Sequence, residues 1–426
     1  MWRVAGNGSA IDHLSASNFL HANGGRAVGA SDRGTVFSPS NGGARDRSNH
    51  FLGWYNSGNR LDRDRNSCGF RDNDYPMNRR TFVGALTVGA LYERPGGRRP
   101  PLQQKEGLIT DVEGIKVGHF TDSRRPTGCT VILCERGAVA GVDVRGSAPG
   151  THETDLLRPT NSVDTVNAIV LSGGSAFGLD TATGVTRYLE ERGYGYAFAG
   201  GKIPIVPAAI LFDLNVGDGR IRPNADAGYK AAMNAKSGAF EEGSVGAGAG
   251  ATVGKLNGGK RMKGGIGTSS IKLPNGIVVG AIVAVNCVGD VVDPKTGKIV
   301  AGARTPDGKT FLNIIEAYRS GRGVAQTPQP GQNTTIGVIA TNARFDKTQM
   351  TKIAEMGHDG MARAINPTHT LEDGDTLFAL STGTSNVAAN HGAIGALAAE
   401  AVSEAIIRAV MKAKPVAGIL SYQDLR

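Results

Sequence analysis

Cysteine is scarce, with four in 426 residues: Cys68, Cys129, Cys134 and Cys287. No two stand in C-x-x-C spacing and four are too few to staple a chain this long. A disulfide framework is therefore excluded, and the thiols read as small buried hydrophobes. Aromatic residues make up only 6%, and no stretch concentrates charge of one sign. The net charge of +9 divides into 15 Lys+Arg against 9 Asp+Glu in residues 1–106 and 32 against 29 in residues 107–426, so the body of the chain is nearly neutral. Without a basic face interleaved with aromatics, nucleic acid is not an expected partner. A run of 18 apolar residues is also missing, which excludes a membrane-spanning helix of that kind and any expectation of membrane insertion. What is present is 40% hydrophobic and 20% charged residues, the composition of a folded, enzyme-sized body. The 62 glycines follow no G-x-y period, so they signal tight turns and close backbone approach rather than a collagen helix.

Residues 1–76 are rich in Asn, Arg, Gly and Ser without helical or strand periodicity, and are expected to be a poorly ordered extension. Met77 opens MNRRTFVGALTVGALY, in which Arg79-Arg80 precedes about a dozen apolar or small residues, the layout of a twin-arginine signal. The stretch is short and internal, and no clean A-x-A site follows, so residues 77–106 read equally as a linker. If the segment is an export signal the protein is periplasmic, and otherwise cytoplasmic. The spacer ERPGGRRPPLQQKEG sets a domain boundary near residue 107, with the body spanning 107–426. There, CTVILC, GAVAGVDV, NAIVLSG, GIVVGAIVAVN, TIGVIAT and TLFALST read as strands. Helices are expected from Ala176 to Arg192, after an Asp346 cap with Gln349 three residues on, and from Asn386 to Lys412. The alternation implies a layered α/β fold.

Several motifs lead nowhere. GAGAGATVGK lacks the spacing of a phosphate loop, because Ala249 stands where Gly is needed and Leu256 where a hydroxyl is needed. Its glycines instead let Lys255 approach something buried. LSGGSAFGLD is a strand-to-helix turn without G-x-G-x-x-G, so no dinucleotide cofactor is expected. None of the eight histidines lies four residues from another, and His152-Glu153 lacks the second histidine of a zinc protease motif, so no metal is expected. His369, four residues before Asp373 in an acidic cluster, reads first as a structural residue and second as a minor site member. No G-x-S-x-G elbow occurs.

GQNTTIGVIATNA remains, where a Pro-rich approach meets an abrupt strand at a hydroxyl residue. Thr334 Oγ1 attacking the Asn333 carbonyl would form an ester that water resolves, leaving Thr334 as a new N-terminus. The free amine, with an ordinary pKa near ~8, would then serve its own hydroxyl as base. On its own residues, Asn-Thr-Thr before a strand reads more readily as a plain turn.

From about Leu108 to Val410 the chain resembles the family of self-processing L-aminopeptidase/D-amino-acid esterases and β-peptidyl aminopeptidases. The likeness is carried by GLITDVEGIKVGH, PTGCTVILCERGAVAGVDVRG, APGTHETDLLRP, VDTVNAIVLSGGSAFGLD, GAGAGATVGK, VNCVGDVVDP, NTTIGVIATNA and HTLEDGDTLFALSTG in that order. The resemblance implies a four-layer αββα sandwich, like N-terminal-nucleophile hydrolases but with altered connectivity. It implies autocleavage between Asn333 and Thr334 into a large chain ending at 333 and a small chain 334–426, the pairs assembling into a higher homo-oligomer. By the same likeness Thr334 is the nucleophile and Asp373 and Asp375 its orienting pair, while Asn286 holds the oxyanion and Lys255 lies nearby. That set is similar to the threonine branch that hydrolyses 6-aminohexanoate oligomers; the better-known branch uses Ser with a Ser/Glu pair. Where some relatives carry a tyrosine, this chain has Phe177, which cannot donate a hydrogen bond. Backbone N–H groups around Gly173 and Gly174 are then the candidate second oxyanion donors. The implied activity is hydrolysis of N-terminal amino acyl bonds in small peptides, amides or esters, with no cofactor. Acyl transfer of the ornithine acetyltransferase type, endohydrolysis of amide oligomers, and a binding protein that has lost processing are the alternatives.

Overall fold

The computed structural model describes residues 107–323 and 331–425. The expectations for residues 1–76 and 77–106 lie outside the described residues. One large sheet organises the rest. Its strands are β1 (Lys116–Thr121), β2 (Gly128–Val144), β3 (Thr151–His152), β4 (Thr165–Ser172), β5 (Ala208–Ile210), β6 (Gly265–Lys272), β7 (Val278–Asn286), β8 (Thr334–Thr341) and β9 (Thr376–Ser381). The helices are α1 (Thr181–Glu190), α2 (Ala225–Met233), α3 (Ile314–Arg319), α4 (Lys347–Ala364) and α5 (His391–Lys412). The strand order is β6-β7-β8-β9-β2-β4-β5-β3, with β1 paired to β2.

Three apolar clusters show how this ribbon folds into layers. Ile132, Ile169, Leu171, Ile282, Ile336, Val338 and Phe378 share an inner core made of sheet residues from both ends of the ribbon. On β7 and β9 the alternate residues, such as Val283, Val285, Leu377 and Ala379, join α4 and α5 residues, among them Ile353, Met361, Val402 and Ile406. On β2 and β4 the alternate residues Val131, Leu133, Ala168 and Val170 meet Val185 and Leu189 of α1 and Ala231 of α2. Two-residue alternation along each strand thus feeds an inner sheet-on-sheet core and two outer helix layers, which makes an αββα sandwich.

β2 belongs to both halves. Its first part pairs with β4 and its last part with β9, with a register shift between Leu133 and Ala138. This corrects the expectation of two strands, CTVILC and GAVAGVDV: Glu135-Arg136-Gly137 marks a bend, with Gly137 at φ +92°, and the strand continues through it. Two helix starts also differ. Ser175–Asp180 is a 3₁₀ turn that leads into α1. α5 begins at His391, where Asn390 Oδ1 accepts from the Gly392 and Ala393 N–H groups at 2.9 and 3.2 Å. α4 starts as expected: Asp346 accepts from Gln349 N at 2.8 Å and Gln349 Oε1 accepts from Asp346 N at 3.1 Å. Among the described residues, no helix is long and apolar enough to cross a membrane.

Candidate active site

β8 is buried at every position, as a central strand covered on both faces must be. Thr334 is its first residue. In the antiparallel ladder with β7, Thr334 stands opposite Asn286, the last residue of that strand. In the parallel ladder with β9, Ile336 faces Thr376, and an isolated bridge pairs Asn333 with Asp373 in the same register. Thr334 therefore lies between Asn286 and Gly374 at one level of the sheet.

The Thr334 hydroxyl donates to the Asn333 carbonyl, the carbonyl of its own preceding peptide bond. The same oxygen accepts from the Gly374 N–H at 3.0 Å. Such an approach needs glycine: a Cβ at 374 would stand 2.6 Å from the Ala148 carbonyl oxygen and 2.9 Å from Thr334 Oγ1.

The two aspartates flank this glycine, both buried, and on alternating backbone they face the same side. Asp373 Oδ2 accepts from Thr370 N at 3.0 Å and Thr370 Oγ1 at 2.7 Å. Burial, and then the charge of Asp375, push the Asp373 carboxyl up to about 6. Asp375 Oδ1 accepts from Thr335 N at 2.7 Å, tying the carboxylate to the strand that begins at Thr334. Its Oδ2 accepts from His369 N at 3.1 Å, and His369 Nδ1 lies 2.8 Å from the same oxygen. His369 is held at φ +55°, a conformation rare outside glycine, by these two bonds to one carboxylate. Its ring packs edge-on against His358, with centroids 4.8 Å apart, and burial lowers His358 to about 4, which keeps it neutral. His369 was read from sequence as structural, yet it directly contacts an aspartate of the site. An i, i+6 spacing across an irregular loop carries no periodic signal, and only the shared carboxylate reveals it.

Lys255 Nζ donates to Asn286 O at 3.0 Å, Asn286 Oδ1 at 2.9 Å and Gln332 O at 3.3 Å. Three acceptors match the three protons of an ammonium, while burial lowers its pKa to about 7. The Asn286 side-chain oxygen also accepts from Thr252 N at 3.0 Å, which fixes the amide so that Nδ2 donates to Phe212 O at 3.0 Å. The neighbouring Asp213 is itself clamped. Its carboxylate accepts from Arg125 Nη2 at 2.8 Å, Thr127 Oγ1 at 2.7 Å and Gly174 N at 3.0 Å, with both members of the ion pair fully buried. This is where the Gly-rich turn meets the site, and it corrects the candidate second oxyanion donors. The Gly174 N–H is bound to Asp213 and the Gly173 N–H donates to the Gly128 carbonyl at 2.9 Å. Phe177 is 57% exposed beneath the Arg222 guanidinium. The N–H that lies on the carbonyl beside Thr334 is that of Gly374.

A cavity of about 650 Å³ opens beside this cluster, lined by Lys255, Gln332, Asn333 and Glu372 and by Lys260, Arg261 and Arg304 among others. A hydroxyl against a polarised carbonyl, flanked by a buried carboxylate pair, a low-pKa lysine and an adjoining cavity, is suited to acyl chemistry on amides.

Residues 107–422 match the model of peptidase family S58. The chain belongs to that family. It is accordingly a hydrolase of peptide or amide bonds. It is 43% identical over 345 residues to an uncharacterized aminopeptidase of Mycobacterium tuberculosis, covering 74% of this chain and 97% of the relative. It is 32% identical over 320 residues to a 6-aminohexanoate-oligomer endohydrolase of Kocuria, covering 72% and 86%. Among solved structures, the L-aminopeptidase D-Ala-esterase/amidase of Ochrobactrum anthropi, described as a variant of the Ntn hydrolase fold, superposes with a TM-score of 0.53 at 20% identity over 72% of this chain and 88% of that one. That likeness bears on the fold, which is the Ntn-hydrolase-like αββα sandwich implied by the sequence.

Proposed function

We propose that this S58 hydrolase cleaves itself between Asn333 and Thr334 and then uses the liberated Thr334 to release N-terminal amino acyl groups from small peptides, amides or esters. The observation that carries the reading is the Asn333 carbonyl, which takes the Thr334 hydroxyl and the Gly374 N–H on one oxygen. Attack of Oγ1 on that carbonyl carbon forms a C–O bond and puts negative charge on an oxygen already facing a fixed donor, a placement worth about 3 kcal/mol of barrier. The C–N bond then breaks, and the hydroxyl proton ends on the departing Thr334 nitrogen. Water hydrolyses the ester, giving the Asn333 carboxylate and a free Thr334 hydroxyl beside its own amine.

In turnover that amine takes the hydroxyl proton as Oγ1 attacks a substrate carbonyl and delivers it to the leaving group. Asn286, locked by Lys255 and Thr252, offers its second Nδ2 proton to the oxyanion. Asp375 holds the start of β8 in place through Thr335 N. Water completes the cycle by hydrolysing the acyl ester. The processed pairs assemble into homo-oligomers in this reading. The similarity to 6-aminohexanoate-oligomer endohydrolases favours a second reading, cleavage of internal amide bonds in oligomers.

The test begins on a denaturing gel. Wild-type protein should show a small chain of 93 residues, about 9.6 kDa, whose N-terminal sequence reads Thr-Thr-Ile. Thr334→Ala should remain intact and inactive. An intact wild-type chain that is nonetheless active would overturn the mechanism. A panel of L- and D-amino amides, β-peptides and aminohexanoate oligomers separates the two substrate readings.

A further inference from the structure

The lining of the cavity is rich in cations. Lys260, Arg261 and Arg304 line it together, and Glu372 is the single carboxylate among the lining residues. Arg304 is the informative one. It is only 6% exposed, and its backbone is pinned between two neighbours: Arg304 N donates to Lys260 O at 2.9 Å and Lys260 N to Arg304 O at 2.9 Å. Its Nη2 donates to the Gly308 carbonyl. Its Nη1 is buried and has no hydrogen-bond partner among the described residues. A guanidinium desolvated with one edge uncompensated is costly, and such a group is retained where something supplies the missing acceptor. Arg261, also in the lining, donates to Asn215 O at 2.9 Å, and burial lowers its pKa. Lys260 beside it is exposed.

We infer that Arg304, with Lys260 and Arg261, forms a subsite for a carboxylate of the substrate, so that the enzyme prefers short amides carrying a free carboxylate over their neutral counterparts. This rests on the reading of Thr334 as nucleophile, because the same cavity is walled by Gln332 and Asn333 at the scissile bond, and one occupant then spans both features. A planar guanidinium edge matches a carboxylate in a fork of parallel N–H bonds. Among substrates of an amide hydrolase, the anion on offer is a C-terminal or side-chain carboxylate.

The test compares matched substrates on the processed protein: a dipeptide with a free C-terminal carboxylate against its C-terminal carboxamide, and a dipeptide amide with an acidic side chain against its amide isostere. The free acid should be favoured in kcat/KM by about tenfold, chiefly through KM, an advantage that shrinks in high salt. Arg304→Gln should bring the acid-to-amide ratio to within about twofold of one, while Arg304→Lys, which keeps the charge but not the fork, should retain only part of it. The side-chain pair then tells which carboxylate the subsite takes. Equal kcat/KM for acid and amide in the parent, or a ratio untouched by Arg304→Gln, overturns the subsite and leaves the hydrolase standing. If no amide is cleaved at all, the hydrolase reading fails, and the subsite is judged by calorimetric titration with glutarate. Binding lost in Arg304→Gln supports it, and no binding by the parent overturns it. Should Arg304→Gln lack a cooperative melt, Lys260→Gln, on an exposed side chain, carries the same comparison with a weaker expected loss.

Discussion

At the scale of single residues, the site is a set of buried titrating groups whose protonation states are set by their partners. Asp373 accepts from Thr370 and is raised to about 6, so its ionised form prevails above that pH. Lys255 needs all three protons for its three acceptors and is lowered to about 7. Self-cleavage of freshly folded precursor should therefore rise as pH passes about 6 and fall as it passes about 7, followed as the small-chain band against pH. A rate that climbs without a fall through neutrality would remove Lys255 from the step. The stability term has a definite sign. A carboxyl whose folded pKa lies above its unfolded value adds stability below the unfolded value and loses it as pH rises to about 6, so Asp373→Asn should flatten the decline in melting temperature between about pH 4 and pH 6. His369 permits a sharper test. His369→Ala removes the ring contact to the Asp375 carboxylate and should slow turnover by about tenfold to a hundredfold, with little change in KM. His369→Asn, which keeps a side-chain N–H near the same oxygen, should recover part of the rate. A lowered melting temperature with unchanged kcat would make the histidine merely structural.

At the scale of elements, legibility in the sequence followed periodicity. β7, β8 and β9 were readable because β-branched runs between turn residues report local conformation, and the α4 cap was readable because Asp346 and Gln349 are three residues apart. What joins Thr334 to Gly374 and Asn286 is strand register over separations of 40 and 48 residues, which no local pattern encodes. The candidate residues came from family likeness, while the Gly374 N–H donor and the His369 contact came only from the folded chain. The bend in β2 failed for a related reason: Glu135-Arg136-Gly137 has the composition of a turn, and in the fold it is where one strand passes from one half of the sandwich to the other. Gly374 offers the element-scale prediction. Gly374→Ala places a methyl group against the Ala148 carbonyl and Thr334 Oγ1, at a cost of about 1–3 kcal/mol. Uncleaved protein should accumulate with a lower but still cooperative melt. Cleavage at the wild-type rate would show that the 374 N–H has no part in it.

At the scale of the whole molecule, the proposed cut after residue 333 would divide the sheet without opening it. The segment from residue 334 onward contributes β8 and β9 with α4 and α5, and its two strands lie between β7 and β2 of the segment before it. Each flanking ladder, together with the apolar cluster beneath α4 and α5, would have to be lost for the pieces to part. The two chains should accordingly co-elute on native gel filtration and separate only in denaturant. Elution of a free small chain from active protein would contradict this.

The interleaving of β8 and β9 between strands from upstream has one more effect. An uncut Thr334→Ala chain regains its shape by a unimolecular process, indifferent to dilution. Protein cut after residue 333, once denatured, would have to find its other half by collision, so its recovery should decline as the solution is thinned. Scission would thereby turn a sequence that folds alone into one that reassembles only in company.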